Sequence, residues 1–295
     1  MLKKKWAIVK IPYGGGYSSL NIAKPKNVKQ APDALHKEFL RQSIFMSDSG
    51  VFSWDNVVWH NMHFEPGRQN TANGWEMMYG SIFSYLNDWK PDKNVLFLGG
   101  SHSITASTYY SMAHMSGIKS TGLIILDAHP DCCRKANWPI HSDWLRWMIE
   151  NEYVLPNNVI LIGLRQMEKQ EYDFLERFGI KYYPMLKIGD PKVCVTDCLE
   201  LKLEIERLGL LDATYLSIDI DVVSGVYAPG TGCPSPGGFT DSELINCVKQ
   251  IKSLLKNLKA VDIVEIDPLN WWRKRIIGYD ATVDLGVKLI KEIIS

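Results

Sequence analysis

Short apolar runs recur along the chain, and between them lie longer stretches in which apolar residues return every third or fourth position. Runs such as Leu123 to Leu126 and Tyr215 to Ile218 are largely apolar on both of their alternating sides. That pattern suits a strand of a parallel sheet covered on both faces. The pattern predicts strands at Trp6–Ile11, Val57–His63, Asn94–Leu98, Gly122–Leu126, Asn158–Ile162, Lys181–Tyr183, Thr214–Ile218 and Ala260–Ile266. The three-and-four spacing predicts helices at Pro32–Ile44, Gly74–Trp89, Ile104–Met115, Ser142–Glu150, Glu168–Phe178, Val195–Leu208, Asp241–Asn257 and Ala281–Ile294. In one of them Leu199, Leu203, Ile205 and Leu208 form the expected apolar stripe, and in another Asp241 stands at a capped start. Regular alternation of strand and helix implies α/β architecture: a single doubly wound domain over residues 1–295, with a mostly parallel eight-stranded sheet and helices on both faces. Loops rich in Gly and Pro cover Gly14–Lys29 and Ser224–Gly238.

A chain of 295 residues with 46% hydrophobic and 22% charged residues has the make-up of an ordinary globular protein. Thirty-three basic side chains balance 33 acidic ones, which argues against a nucleic-acid partner. No apolar run reaches the roughly 20 residues of a membrane span, and Ile8 to Ile11 is too short for a signal core, so the expectation is a cytoplasmic protein with no membrane partner. Six cysteines occur, but a chain of this size builds its own core and needs no disulfide frame. Cys194 and Cys198 stand four apart without a second ligand pair, a poor zinc site.

The chemistry gathers at strand ends, where open α/β sheets bind ligands. His102 follows the Asn94–Leu98 strand across a Gly-Gly-Ser turn, and Asp127-Ala-His129-Pro-Asp131 follows the next strand. Asp219-Ile-Asp221 follows another, and Glu265 ends a fourth. Residues two apart on a strand share a side, so this spacing would let Asp127, His129 and Asp131 converge, and likewise Asp219 and Asp221. That many acids at one sheet edge repel unless cations neutralise them. Carboxylates with one or two imidazoles suit a bridged pair of Mn²⁺ or Mg²⁺, with Zn²⁺ or Ni²⁺ as alternatives. Each piece also has a bland explanation: His102 as a core histidine, the Asp runs as helix caps, Glu265 and Asp267 as a surface turn. Their conjunction favours the metal site.

These pieces, in this order, resemble the ureohydrolase superfamily of arginases, agmatinases and relatives. The resemblance runs from about Asn94 to the C-terminus, leaving the N-terminal third atypical. It rests on Gly-Gly-Ser-His-Ser (99–103), Asp-Ala-His-Pro-Asp (127–131), Ser-Ile-Asp-Ile-Asp (217–221), Ala-Pro-Gly-Thr-Gly-Cys-Pro-Ser-Pro-Gly-Gly (228–238) and Glu-Ile-Asp-Pro (265–268). It implies two Mn²⁺ per chain, with Ni²⁺ or another divalent ion as the alternative. His102 and Asp131 would bind one ion and His129 the other, with Asp127 and Asp221 shared and Asp219 completing the set. It further implies His141 as proton shuttle, Asp131 as a catalytic carboxylate, and Glu265, Cys233 and Asn137 as substrate contacts. The implied reaction hydrolyses a guanidino group to urea and an amine, and the implied assembly is a homo-oligomer, a trimer or hexamer.

The segment Cys132 to Ile140 is short, as in the agmatinase-like branch, and lacks the hydroxyl-rich run with which arginases grip an α-amino acid. Agmatine is the leading substrate. Guanidinobutyrate or arginine stays open because Arg134 and Lys135 either meet a carboxylate or face solvent. Three positions depart from the family pattern: Ser101 in place of Asp, Ser224-Gly225 in place of Asp-Pro, and Cys233 in place of Thr. They motivate two competing readings, another metallohydrolase such as a formimino hydrolase or a deacetylase, and a non-catalytic binding relative.

Overall fold

The computed structural model describes residues 6–16, 27–47, 57–63, 72–87, 94–134, 137–185, 198–268 and 279–295. Its strands are β1 (Trp6–Ile11), β2 (Val58–Asn61), β3 (Asn94–Gly99), β4 (Thr121–Leu126), β5 (Val159–Leu164), β6 (Lys181–Pro184), β7 (Ala213–Asp219) and β8 (Leu258–Val264). Its helices are α1 (Ala31–Ser47), α2 (Ala72–Asn87), α3 (Ile104–Ser116), α4 (Trp144–Glu150), α5 (Lys169–Phe178), α6 (Leu199–Leu208), α7 (Asp241–Leu254) and α8 (Ala281–Ile294). The strands form one sheet in the order β2-β1-β3-β8-β7-β4-β5-β6, and every pairing is parallel.

The sheet separates two apolar layers. Ile124 and Leu126 of β4 pack with α1, α6, α7 and α8, while Leu123 and Ile125 face α2, α3, α4 and α5. This is why the central strands read as largely apolar runs: both alternating sides are buried. Each expected strand and helix is present, with ends shifted by a few residues. The start of the helix expected from Val195 lies outside the described residues, as do Cys194 and Lys135. The five described cysteines are free thiols. Among the described residues no helix is long and apolar enough to cross a membrane.

Three expectations need correction. On α6, Leu201, Ile205 and Leu208 face the sheet, whereas Leu199 and Leu203 are 66% and 55% exposed. Two apolar stripes compete on that helix, and periodicity does not say which one meets the sheet. The cap of α7 is Thr240, one residue before Asp241: its hydroxyl accepts from Glu243 N (3.2 Å) and the Glu243 carboxylate accepts from Thr240 N (2.8 Å). Strand β8 stops at Val264 because Glu265 turns into the left-handed region (φ 60°) and gives its N–H to Gly100 O (2.8 Å).

Candidate active site

The four strands whose ends carry the acidic and imidazole groups are consecutive neighbours in the sheet: β3, β8, β7 and β4. They deliver His102, Glu265, Asp219 with Asp221, and Asp127 with His129 and Asp131 to one edge. Two of these side chains sit on backbone that non-glycine residues rarely adopt: Asp131 at φ 52° and Glu265 at φ 60°. Left-handed conformations of this kind carry a local cost and cluster at functional sites.

The Nδ1 of His102 faces three carboxylates at once, Asp131 Oδ2 at 2.9 Å and Asp127 Oδ2 and Asp219 Oδ2 at 3.2 Å each. The Nδ1 of His129 lies 3.0 Å from Asp221 Oδ2 and 3.5 Å from Asp127 Oδ1. Ligand-bearing atoms thus fall into two groups, His102 with Asp127 and Asp131, and Asp127 with His129 and Asp221; Asp127 belongs to both. Backbone donors orient the set. His129 N donates to Asp127 Oδ1 (2.7 Å), Ala128 N to Asp221 Oδ1 (3.2 Å) and Asp221 N to Asp219 Oδ1 (2.8 Å).

His102 Nδ1 and Asp127 Oδ2 are buried without a hydrogen bond despite their proximity. Buried polar atoms are almost always paired. Lone pairs from an imidazole and a carboxylate converging on one point fit a cation between them. Hard oxygen donors with one imidazole per group suit Mn²⁺ or another divalent first-row ion.

The charges confirm how crowded the edge is. Burial and the neighbouring Asp127 push the Asp131 carboxyl up to about 7. Burial, then Asp221 and Asp127, raise Asp219 well above the ordinary carboxylate range, and burial with Asp127 also raises Asp221. Burial disfavours charge on Asp127 too, but its contacts with His102 and His129 outweigh it and hold that carboxyl below its usual value. Both imidazoles are raised, since their carboxylate partners overcome the opposing effect of burial.

A further layer of contacts fixes the imidazoles. Asp262 is fully buried and accepts from Ser217 Oγ (2.7 Å), Thr105 Oγ1 (2.7 Å), Tyr215 OH (2.8 Å) and Ile218 N (3.3 Å). The Ser217 hydroxyl therefore gives its single proton to Asp262 and accepts from His102 Nε2–H at 3.0 Å. That choice leaves the lone pair of a neutral His102 ring on Nδ1, the atom facing the carboxylates. Gln166 Oε1 holds His129 Nε2 in the same way at 2.9 Å. Trp144 donates its indole N–H to Asp131 Oδ2 (2.7 Å), with its rings 4.9 Å from His102. Sequence reasoning missed Gln166, Asp262 and the tie from Trp144. The placement of Gln166 directly after β5, beside β4 in the sheet, was the one signal that could have found it.

A cleft of about 410 Å³ opens over this edge, lined by His102, His129, Asp131, Asp219, Asp221 and Glu265 from the strand ends. His141, Cys233, Thr231, Gln166, Glu168 and Glu171 complete its walls in part. His141 is pinned where its N–H and its Nδ1 both meet Gly16 O at 2.9 Å. Gly16 has φ +80°, and a Cβ there would stand 2.5 Å from Ser103 Oγ, so only glycine brings that carbonyl so close. Glu265 is buried, and its Oε1 accepts from His102 N at 2.7 Å. Asn137 is not brought to the cleft. It is exposed and is not among the residues that line the cleft, whereas Cys133 and Ser142, joined by Cys133 N to Ser142 O (3.0 Å), both line it. Ser101, fully buried, pairs with Ser103 Oγ (3.0 Å), and Ser224 spends its backbone on Phe239 O and the turn to Tyr227.

A family model described as the arginase family matches residues 4–295. The chain belongs to the arginase family. The arginase-family match takes in the first third, whose β1 and β2 join the same sheet. The arginase of Plasmodium berghei (strain Anka) is 28% identical over 211 residues, 64% of this chain and 57% of that protein. The formimidoylglutamase of Bacillus subtilis (strain 168) is 29% identical over 241 residues, 81% of this chain and 73% of that protein. The chain thus spans less than two thirds of the length of the Plasmodium arginase it matches. Among solved structures, formimidoylglutamase from Bacillus subtilis superposes with a TM-score of 0.79 at 21% identity, covering 99% of this chain and 86% of that one. Arginase from Bacillus subtilis gives 0.77 at 22%, covering 99% of each chain. At these identities the structural likeness establishes that this arginase-family chain has their fold.

Proposed function

We propose that the chain hydrolyses the amidine C–N bond of a small guanidino compound, releasing urea and an amine, with two divalent metal ions at its centre. One observation carries the reading: two His/Asp groups share Asp127 in a cleft that also holds Glu265 and His141. His102, Asp127 and Asp131 would hold one ion, and Asp127, His129 and Asp221 the other, with Asp219 completing the set. Mn²⁺ fits these donors, and Ni²⁺ is the alternative. Such ions supply the positive charge that lets water attack a resonance-stabilised carbon near neutral pH.

The chain's own groups do the rest. Glu265 offers its carboxylate to the forked N–H donors of a planar cation, and the hydrogen bond from His102 N keeps that carboxylate from swinging away. His141, with Nδ1–H committed to Gly16 O, exchanges protons through Nε2 and hands one to the departing amine.

Among the described residues the cleft lining includes Glu168 and Glu171 and no Lys or Arg. Arg134 is exposed and stands outside it. An acidic wall suits a substrate with a second positive charge, so an agmatine-like guanidinoalkyl amine is favoured over a guanidino acid. A formimino acid is the second reading, supported by the relative named formimidoylglutamase, 73% of whose length aligns with this chain. The deciding experiment incubates Mn²⁺- or Ni²⁺-loaded protein with agmatine, arginine, guanidinobutyrate and formiminoglutamate. Urea from agmatine supports the proposal, formamide moves it to the second reading, and neither product from any compound overturns hydrolysis.

A further inference from the structure

Three buried polar atoms at the cleft have no hydrogen-bond partner among the described residues: His102 Nδ1, Asp127 Oδ2 and Thr231 Oγ1. The first two belong to a cation-binding group, which accounts for them. Thr231 belongs to neither group. It is 8% exposed and lines the cleft beside Cys233. A hydroxyl left unpaired in such a place carries a desolvation cost that native structures avoid unless something else pairs with it.

The backbone around Thr231 is fixed, so the side chain is not there by default. Gly230 N donates to Thr282 Oγ1 (2.8 Å) at the start of α8, and Gly230 O accepts from Asp267 N (2.8 Å) just beyond β8. A Cβ on Gly230 would meet Asp267 O at 2.8 Å and Thr282 Oγ1 at 2.9 Å, so the approach is close enough to demand glycine. Farther along the loop, Gly225 N holds Ser235 O (2.8 Å) and Arg165 holds Ser235 Oγ (3.0 Å). The tie between Gly230 and Asp267 sets Thr231 next to the strand end that carries Glu265.

We propose that Thr231 is a substrate-binding residue whose hydroxyl accepts an N–H from the same planar amidine group that Glu265 faces. This rests on the amidine-hydrolase reading given above. A neutral acceptor beside a carboxylate fits a planar cation, which has more N–H donors than one carboxylate accepts. The hydroxyl also explains its own isolation: its partner arrives with the ligand.

The test compares wild type, Thr231→Val and Thr231→Ser as metal-loaded proteins. Calorimetry measures binding of guanidinium ion and of agmatine, urea release gives kcat and KM, and thermal unfolding reports integrity. Thr231→Val, close in shape but without the hydroxyl, is expected to bind about 10- to 100-fold more weakly. It keeps full metal content and unfolds no earlier than wild type, because an unpaired buried hydroxyl has been removed. Thr231→Ser restores binding to within a few-fold. Unchanged binding in Thr231→Val, or weakened binding that Thr231→Ser does not rescue, overturns the proposal. If wild type releases no urea yet binds guanidinium, the reaction reading fails and the Thr231 comparison still decides this one. If wild type binds no guanidinium at all, both fall.

Discussion

Ser217 accepts a hydrogen bond from His102 Nε2 at 3.0 Å while giving its own proton to Asp262 at 2.7 Å. The pair sets which nitrogen of His102 carries a lone pair toward the carboxylates, and it does so from inside the sheet. Ser217→Ala should therefore weaken metal binding by about 10- to 100-fold without touching any ligand. Titration with Mn²⁺ against a competing chelator reads this directly; wild-type affinity in the variant would show that the imidazole is held by packing alone.

Asp127 belongs to both cation-binding groups, and His129 to one. Elemental analysis after dialysis should find Asp127→Ala nearly empty of Mn²⁺ and His129→Ala with about one ion per chain, half the complement expected for a two-ion site. Equal loss in the two variants would mean that the ions do not share Asp127.

The acid–base balance of the edge gives a pH dependence with a definite sign. Asp131, at about 7 in the metal-free fold, holds a proton well above the value near 4 of an unfolded aspartate. Its contribution to metal-free stability is thus present at low pH and is lost as pH rises through about 7. Cations compete for the same oxygens, so Mn²⁺ affinity should fall as pH drops below about 7, and binding there should release protons. Calorimetry in buffers of differing ionisation heat measures that release; a pH-independent affinity between pH 5 and 8 would contradict the account.

His141→Asn keeps a donor for Gly16 O but removes the titrating ring. Turnover should drop about 100- to 10,000-fold, with metal content and unfolding temperature held. A loss of metal in parallel would reassign His141 to supporting the metal loop.

Much of this was legible in the sequence because the elements are local. Apolar runs marked the central strands, unlike the edge strands β2 (Val-Trp-His-Asn) and β6 (Lys-Tyr-Tyr-Pro), and carboxylates at the ends of β4, β7 and β8 marked the site edge, since a strand end fixes where the next side chain goes. What the sequence hid depends on pairing between distant segments. Asp262 reads as one polar residue inside β8, and only the β7–β8 register puts it beneath Ser217. Trp144 looks like core until the return of α4 brings its indole to Asp131. The resemblance implies Asn137 as a substrate contact, whereas it is exposed and stands outside the cleft lining. On α6 Ile205 and Leu208 of the expected stripe are buried, but Leu201 takes the place of Leu199 and Leu203, because two stripes fit the same spacing.

The place of β8 has a consequence for how the protein comes into being. Residues 258–264 form the last strand in chain order among the described residues, yet they lie between β3 and β7 in the middle of the sheet. Until that segment leaves the ribosome, the chain can hold only two half-sheets, β2-β1-β3 and β7-β4-β5-β6, each with an unpaired apolar border. His102 sits on one half and the Asp127–Asp131 and Asp219–Asp221 segments on the other. The final strand joins the halves and brings the acids up to the imidazole of His102. The His102 group is therefore incomplete until β8 is in place, and a chain cut short before β8 is a candidate for edge-to-edge aggregation.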